Sequence, residues 1–348
     1  MINLGLALAE RSWLPDAIVR LGIRRIVRAR SNQLEKLGCE AVQEAHHQFV
    51  QECRRSPMAL SPQESNQQHY EVPTGFFQYV LGPHLKYSCS YWGPSTQTLE
   101  HAEAQALQIY QDRAQLVDGQ NILELGCGWG ALSLWMASRF PASTITAVSH
   151  SATQKNYIDT QAVKRGITNL KVITSDINDF HIEQKFDRIV SVEMFEHVRN
   201  HYELFRRIAD WLGEDGKLFV HIFCHQDQAS PYESKGAEDW MAHYFFTGGM
   251  MPSDRLFTQY QDHLRLVRQW RWSGTHYQRT SNAWLQRQDQ YRSQIMSIME
   301  QVYGQKDASL WFQRWRIFFM ACAECFGYDQ GNEWYVSHYL FEKQPLRS

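Results

Sequence analysis

The chain carries almost no net charge: 35 basic side chains stand against 37 acidic ones, a formal balance of −2 over 348 residues. That excludes the electrostatic footprint of a protein built to hold nucleic acid or an anionic membrane surface, and no nucleic-acid partner is expected. Long apolar runs are also missing. Each is broken by charge or glycine short of the ~18–20 residues a bilayer span requires, so no stable membrane insertion is expected. The start, Met1 to Ala9, is apolar but has no basic n-region, and Glu10 and Arg11 interrupt it, so it does not read as a signal peptide. Seven cysteines at irregular spacings make no secreted disulfide framework and point to a reduced, cytoplasmic chain. No metal site, internal repeat or low-complexity tract stands out. Rings are abundant: 12 Trp, 16 Tyr and 18 Phe favour a ring-lined pocket over a purely aliphatic core.

Residues 1–60 read as helices. Pro15 suits a first helical turn, and Ile18, Leu21, Ile23, Ile26 and Val27 follow at roughly helical spacing. Arg20, Arg24, Arg25, Arg28 and Arg30 give this helix a basic flank; packing on the protein's own surface is expected, with an anionic surface contact as the alternative. Residues 54–70, polar with two prolines, read as a linker. From about residue 120 strands and helices alternate: strands at 121–126, 143–149, 169–176, 186–193 and 217–223, helices at 130–139, 152–165 and 201–212. This predicts a doubly wound, mainly parallel sheet with a ligand crevice beyond the carboxyl ends of its strands. After residue 224 come an aromatic, glycine-containing segment (225–260), a strand at 264–272, helices over 280–326 and a last strand at 334–343.

The first strand runs straight into Gly126-Cys127-Gly128-Trp129-Gly130 and then a helix, with Glu124 two positions before the first glycine. Glycines there let a ligand approach the backbone where a Cβ would collide. The spacing differs from the G-x-G-x-x-G that seats a pyrophosphate and resembles motif I of S-adenosylmethionine-dependent methyltransferases. The second strand ends in Ser149, Ser151 and Gln154 without the usual ribose-holding carboxylate, leaving hydroxyl and amide groups to do that work. The third ends in Asp176-Ile177, suited to an adenine amino group and ring face or, structurally, to a helix cap. After the fourth come Glu193, Glu196 and His197; a helical turn would put all three on one face, an arrangement fit for acid–base work. Further islands of rings and small hydroxyls are Lys86 to Trp92, Asp239 to Gly249 and Gly274 to Tyr277.

In order along the chain, KYSCSYW, LELGCGWGALSL, SHSATQ, SVEMFEHV and GTHY match motifs of the cyclopropane-fatty-acid-synthase-like superfamily of methyltransferases, which the chain resembles from about residue 65 to its end. VEMFEH, FVHIFCH, the HYFFTGG stretch and FGYDQGNEW make it most similar to the coclaurine and pavine N-methyltransferase group. In the cyclopropane synthases a glycine usually stands at the position of Glu193; an added carboxylate suits an amine and does nothing for an alkene.

The resemblance implies a class I Rossmann-like α/β fold with a seven-stranded, mostly parallel sheet, an N-terminal helical segment and helical lid insertions. It implies an N-terminal helical region over 1–85, a cofactor-binding core over 86–224, and acceptor-binding lid helices with the final strands over 225–348. S-adenosylmethionine would be held by Tyr87, Ser88, Gly126, Gly128, Gly130, Ser149, Ser151, Gln154, Asp176 and Ile177. Glu193, Glu196 and His197 would be catalytic. His221, Trp240, Tyr244, Phe245, Phe246 and Tyr277 would line the site of a small aromatic or heterocyclic amine. Cys89, Glu196, His221 and Tyr277 match the residues that hold a bicarbonate base in cyclopropane synthases; Cys322, also marked in that family, reads here as packing. A lipid methylase and a non-catalytic S-adenosylmethionine-binding protein are the alternatives. The acceptor, the number of methyl additions and whether the chain forms a homodimer stay open.

Overall fold

A computed structural model describes residues 2–36, 38–59, 73–232 and 240–344. Most of the expected linker (60–70), and Asp239 with the neighbouring 233–238 of the expected lid, lie outside the described residues. The chain opens with α1 (Ile2–Glu10), α2 (Asp16–Glu35), α3 (Cys39–Arg55), α4 (Thr74–Val80) and α5 (Leu99–Ala114). The alternating part follows as β1 (Asn121–Leu125), α6 (Ala131–Arg139), β2 (Thr144–Ser149), α7 (Ala152–Lys164), β3 (Leu170–Thr174), β4 (Phe186–Val192), α8 (His201–Trp211) and β5 (Leu212–His225). Then come the short β6 (Ser230–Pro231), α9 (Trp240–Tyr244) and β7 (Met250–Met251), followed by β8 (Leu264–Trp272), α10 (Gly274–Gln290), α11 (Arg292–Phe326) and β9 (Trp334–Lys343).

The expected seven-stranded sheet forms in the order β3-β2-β1-β4-β5-β9-β8. β1 to β5 pair in parallel, and β9 and β8 add antiparallel at one side. β1 and β2 are buried from their second residue onward, as strands covered on both faces must be, which is why they read as near-continuous apolar runs. Strand order reverses between β1 and β4, so the crevice opens where Gly126 and Glu193 leave the sheet. The two exits touch: a Cβ on Gly126, whose φ is +78°, would lie 2.6 Å from Met194 Cβ.

One hydrophobic core on the α4, α10 and α11 side contains Phe76, Phe77, Trp129, Trp284, Trp315 and Phe319. Another holds Phe195, Leu204, Phe205, Ile208, Phe257 and Phe341. In α8 the apolar positions 204, 205 and 208 fall at helical spacing, and the Asn200 side chain caps its first turn by accepting from Glu203 N.

The N-terminal stripe divides differently from the sequence reading. Val19, Ile23 and Val27, spaced by four, pack on the core, whereas Ile18, Leu21 and Ile26 are exposed. A helix 3.6 residues per turn can turn only one such row inward. Arg20, in the expected basic flank, reaches in to Glu324 (2.7 Å) and Asn282 (2.7 Å). The start of the expected linker is held as well: Ala59 N donates to Asn178 Oδ1 (3.0 Å), and Arg199 N to Met58 O (2.7 Å).

Candidate active site

A cavity at the end of β1 is walled by Lys86, Tyr87, Ser88, Glu124, Gly126, Gly128, Trp129, Gln154 and Glu193, among others. Of the expected cofactor residues it thus gathers Tyr87, Ser88, Gly126, Gly128 and Gln154. Gly128 has a φ of +51° and no atom within 4 Å of where a Cβ would stand, so the backbone is bare toward the cavity. Gly130 caps α6 from behind this turn. Ser149 and Ser151 act one layer back. Ser149 Oγ donates to Gln154 Oε1 (2.7 Å), Ser151 Oγ accepts from Gln154 N (3.3 Å), and together they aim the Gln154 amide. Gln154 Nε2 is buried and has no hydrogen-bond partner among the described residues. Asp176 and Ile177 follow β3 at the same edge of the sheet but do not line this cavity. Asp176 Oδ1 accepts from Asn178 N (2.8 Å), closing a turn that leads into no helix, so it caps none, and Ile177 packs on the Phe195 core. Glu124 accepts from Ser133 Oγ, and burial pushes its carboxyl up to about 8. A bare glycine turn and an unpaired buried amide beside it fit an adenosyl ligand.

The β4 exit departs from the helical turn expected for Glu193, Glu196 and His197. Glu193 takes a φ of +48°, and the helical turn covers only Phe195–His197, so the three side chains do not share one helix face. Glu193 instead turns back against the sheet. Its Oε1 accepts from Cys89 N (2.9 Å) and His221 Nε2 (3.0 Å), and its Oε2 from Tyr277 Oη (2.7 Å). Burial by itself raises a carboxyl, but here the His221 hydrogen bond, the Lys86 charge and the Cys89 amide outweigh it, and the Glu193 carboxyl lies below its ordinary range. Of the matched bicarbonate set, Cys89, His221 and Tyr277 therefore surround the carboxylate of Glu193, and Glu196 is not bonded to them.

Glu196 is buried, its Oε2 without a hydrogen-bond partner among the described residues; burial and the nearby Glu193 charge push its carboxyl well up. Burial pushes His197 down to about 4, so its imidazole is neutral near pH 7.

Of the four expected lid rings, one reaches this centre. Phe246 stacks on His197 at 4.7 Å. Phe245 is fully buried and stacks on Phe318 at 4.5 Å with Trp315 at its edge, inside the core. Trp240 donates to Glu10 (2.8 Å), and Tyr244 accepts from Arg314 (2.9 Å), so both face α1 and α11 rather than the crevice. Trp240 and Tyr244, four apart on α9, share one helix face, while Phe245 and Phe246, past its end, meet different partners.

Lys86 had no role in the sequence reading. It is fully buried beside Tyr110, donates to Ser88 Oγ (2.7 Å) and to Cys89 O, and burial lowers it to about 8. Its one sequence signal is a lysine next to the Tyr87-Ser88 pair. Glu103 is a second omission: it accepts from Gly82 N and His84 N, both at 2.9 Å, and so shapes the loop that delivers Lys86. Nothing local in α5 distinguishes it from a surface glutamate.

The model of the mycolic acid cyclopropane synthetase family matches residues 59–335. (S)-coclaurine N-methyltransferase of Thalictrum flavum subsp. glaucum is 36% identical over 330 residues, 92% of this chain and 91% of that protein. The Papaver somniferum protein of the same name is 36% identical over 345 residues, 96% of each. The crystal structure of coclaurine N-methyltransferase bound to N-methylheliamine and SAH superposes with a TM-score of 0.95 at 34% identity, covering 98% of this chain and 99% of that one.

Proposed function

The chain belongs to the mycolic acid cyclopropane synthetase family, and from that premise we propose that it is an S-adenosylmethionine-dependent methyltransferase whose acceptor is the nitrogen of a small aromatic or heterocyclic amine. The observation that carries this reading is the Glu193 carboxylate, buried and bonded to Cys89 N, His221 and Tyr277. A fixed anion there attracts an ammonium and offers nothing to an alkene, which weighs against the lipid methylase alternative. The full-length likeness to proteins named (S)-coclaurine N-methyltransferase supports the amine.

S-adenosylmethionine supplies an already activated methyl group, so the protein's work is alignment and charge. Glu193 orients the ammonium. His197, whose neutral imidazole is in the state to accept, takes the ammonium's proton, freeing the nitrogen lone pair for in-line attack as the carbon–sulfur bond breaks toward sulfur. Glu196, its carboxyl pushed well up, adds no second negative charge beside Glu193. Phe246, with Tyr232 5.1 Å from it, closes the crevice from the lid side. On this reading residues 86–224 hold the cofactor, residues 225–348 cap the acceptor, and residues 1–85 support both. Among the described residues no helix is long and apolar enough to cross a membrane. All seven cysteines are unpaired, which supports a reducing, cytoplasmic setting.

The test is a mass-spectrometric screen with isotopically labelled cofactor, setting tetrahydroisoquinolines and phenylethylamines against unsaturated phospholipid. Label is expected on an aromatic amine, with Glu193→Ala, Glu196→Ala and His197→Ala each reducing turnover more than cofactor affinity. Label on the phospholipid alone, or unchanged turnover in all three variants, refutes the reading.

A further inference from the structure

Behind Glu193 a row of hydrogen bonds runs sideways through the sheet to the surface. Glu193 Oε1 is 3.0 Å from His221 Nε2, His221 Nδ1 is 2.9 Å from His338 Nε2, and His338 Nδ1 is 2.8 Å from an Arg113 guanidinium nitrogen. The register accounts for it: His221 on β5 lies directly opposite His338 on β9, and Trp270 on β8 directly opposite His338 on its other side. Both histidines are fully buried. Arg113, near the end of α5, is half-buried, with its guanidinium over Trp270 and Trp272 at 5.1 and 5.5 Å.

The chemistry of the two ends dictates the hydrogens between them. A guanidinium can only donate, so His338 Nδ1 must present a lone pair. Burial lowers both imidazoles, His221 to about 4, so near neutrality each is uncharged and carries one N–H. The hydrogen of His338 therefore sits on Nε2 and is donated to His221 Nδ1. That places the hydrogen of His221 on Nε2, donated to the carboxylate.

We propose that Arg113 is a positioning residue for methyl transfer: acting through His338 and His221, it fixes both imidazoles in the tautomer that presents an N–H to Glu193 and so keeps that carboxylate an anionic acceptor. The row is a lock and not a proton exit. His221 Nε2 already carries a hydrogen and the far end is a pure donor, so a proton taken from the substrate does not leave by this row.

The consequence for catalysis rests on the amine reading above; the order of tautomers does not. The experiment records long-range proton–nitrogen correlations of the imidazoles in the full-length protein, with kinetics of Arg113→Met and Arg113→Lys on tetrahydroisoquinoline as the probe amine. In the wild type both histidines should show Nε2 protonated and Nδ1 bare between pH 6 and 8. Arg113→Met should free His338 to change tautomer and cost about tenfold in kcat/KM, the worth of one charge-assisted hydrogen bond, with cofactor affinity unchanged. Arg113→Lys, which still donates, should restore most of that loss. A hydrogen on Nδ1 of either histidine in the wild type overturns the proposal whether or not the variants fold. So does Arg113→Met with tautomers and kcat/KM intact. Wild-type protein with the expected tautomers but inert toward every amine supports the lock and refutes the amine reading.

Discussion

Phe246 lies flat against His197, ring centres 4.7 Å apart and planes 24° from parallel, while its neighbour Phe245 stacks on Phe318 within the core. Gly249 makes the approach of the lid possible: a Cβ there would meet the Phe246 ring at 2.5 Å and the Glu196 carbonyl at 3.4 Å. The Phe246 ring that covers His197 thus sits on a glycine turn, with Phe223 and Tyr232 at its edges.

Phe246→Ala is expected to raise the apparent KM for an aromatic amine several-fold with cofactor affinity unchanged, because it opens the wall beside His197. Phe245→Ala should instead lower stability by about 3–5 kcal/mol, as removal of a buried aromatic ring does, with a smaller effect on KM. Denaturant unfolding alongside steady-state kinetics separates the two; equal effects from both variants would contradict the division of the lid rings.

Glu193→Gly should leave Cys89 N, His221 Nε2 and Tyr277 Oη converging on a space the size of a small carboxylate. The backbone tolerates the change, since a φ of +48° suits glycine. Turnover on an amine should fall by about a hundredfold, the scale of losing a charged group that orients the reacting atoms. Added formate should restore part of it in a saturable manner. Activity indifferent to formate would show that the three donors do not form an anion site once the side chain is gone.

Glu124 links stability to pH. Its carboxyl is raised to about 8 by burial, so from the ordinary carboxyl range up to about pH 8 the folded chain keeps a proton that the unfolded chain has released. Stability present at acid pH is therefore lost as pH rises through that window, by at most about 1.4 kcal/mol per unit. Glu124→Gln removes this slope. Urea unfolding of both proteins from pH 5 to 8 in the absence of ligand should show the wild type declining relative to the variant; parallel curves would mean that Glu124 is not the group responsible.

What the sequence by itself determined is what depends on neighbours along the chain. The kind and order of the strands and helices between 121 and 223, the glycine turn after β1 and the carboxylates after β4 follow from apolar runs, punctuating glycines and the alternation that produces parallel sheets, although β5 begins at Leu212 and not at the expected 217. Tertiary structure decided which of these groups meet. A left-handed backbone at Glu193 sent its side chain toward His221 and Tyr277, 28 and 84 positions away, and not toward Glu196. Register between β5 and β9 set His338 beside His221, 117 positions apart, although in WYVSHYLFEK it reads only as a strand residue. Packing against α11 drew Phe245 inward and left Phe246 at the site. Periodicity reports which face of an element is apolar. Partners separated by a hundred residues are chosen by the summed geometry of the sheet, and no local pattern encodes that sum.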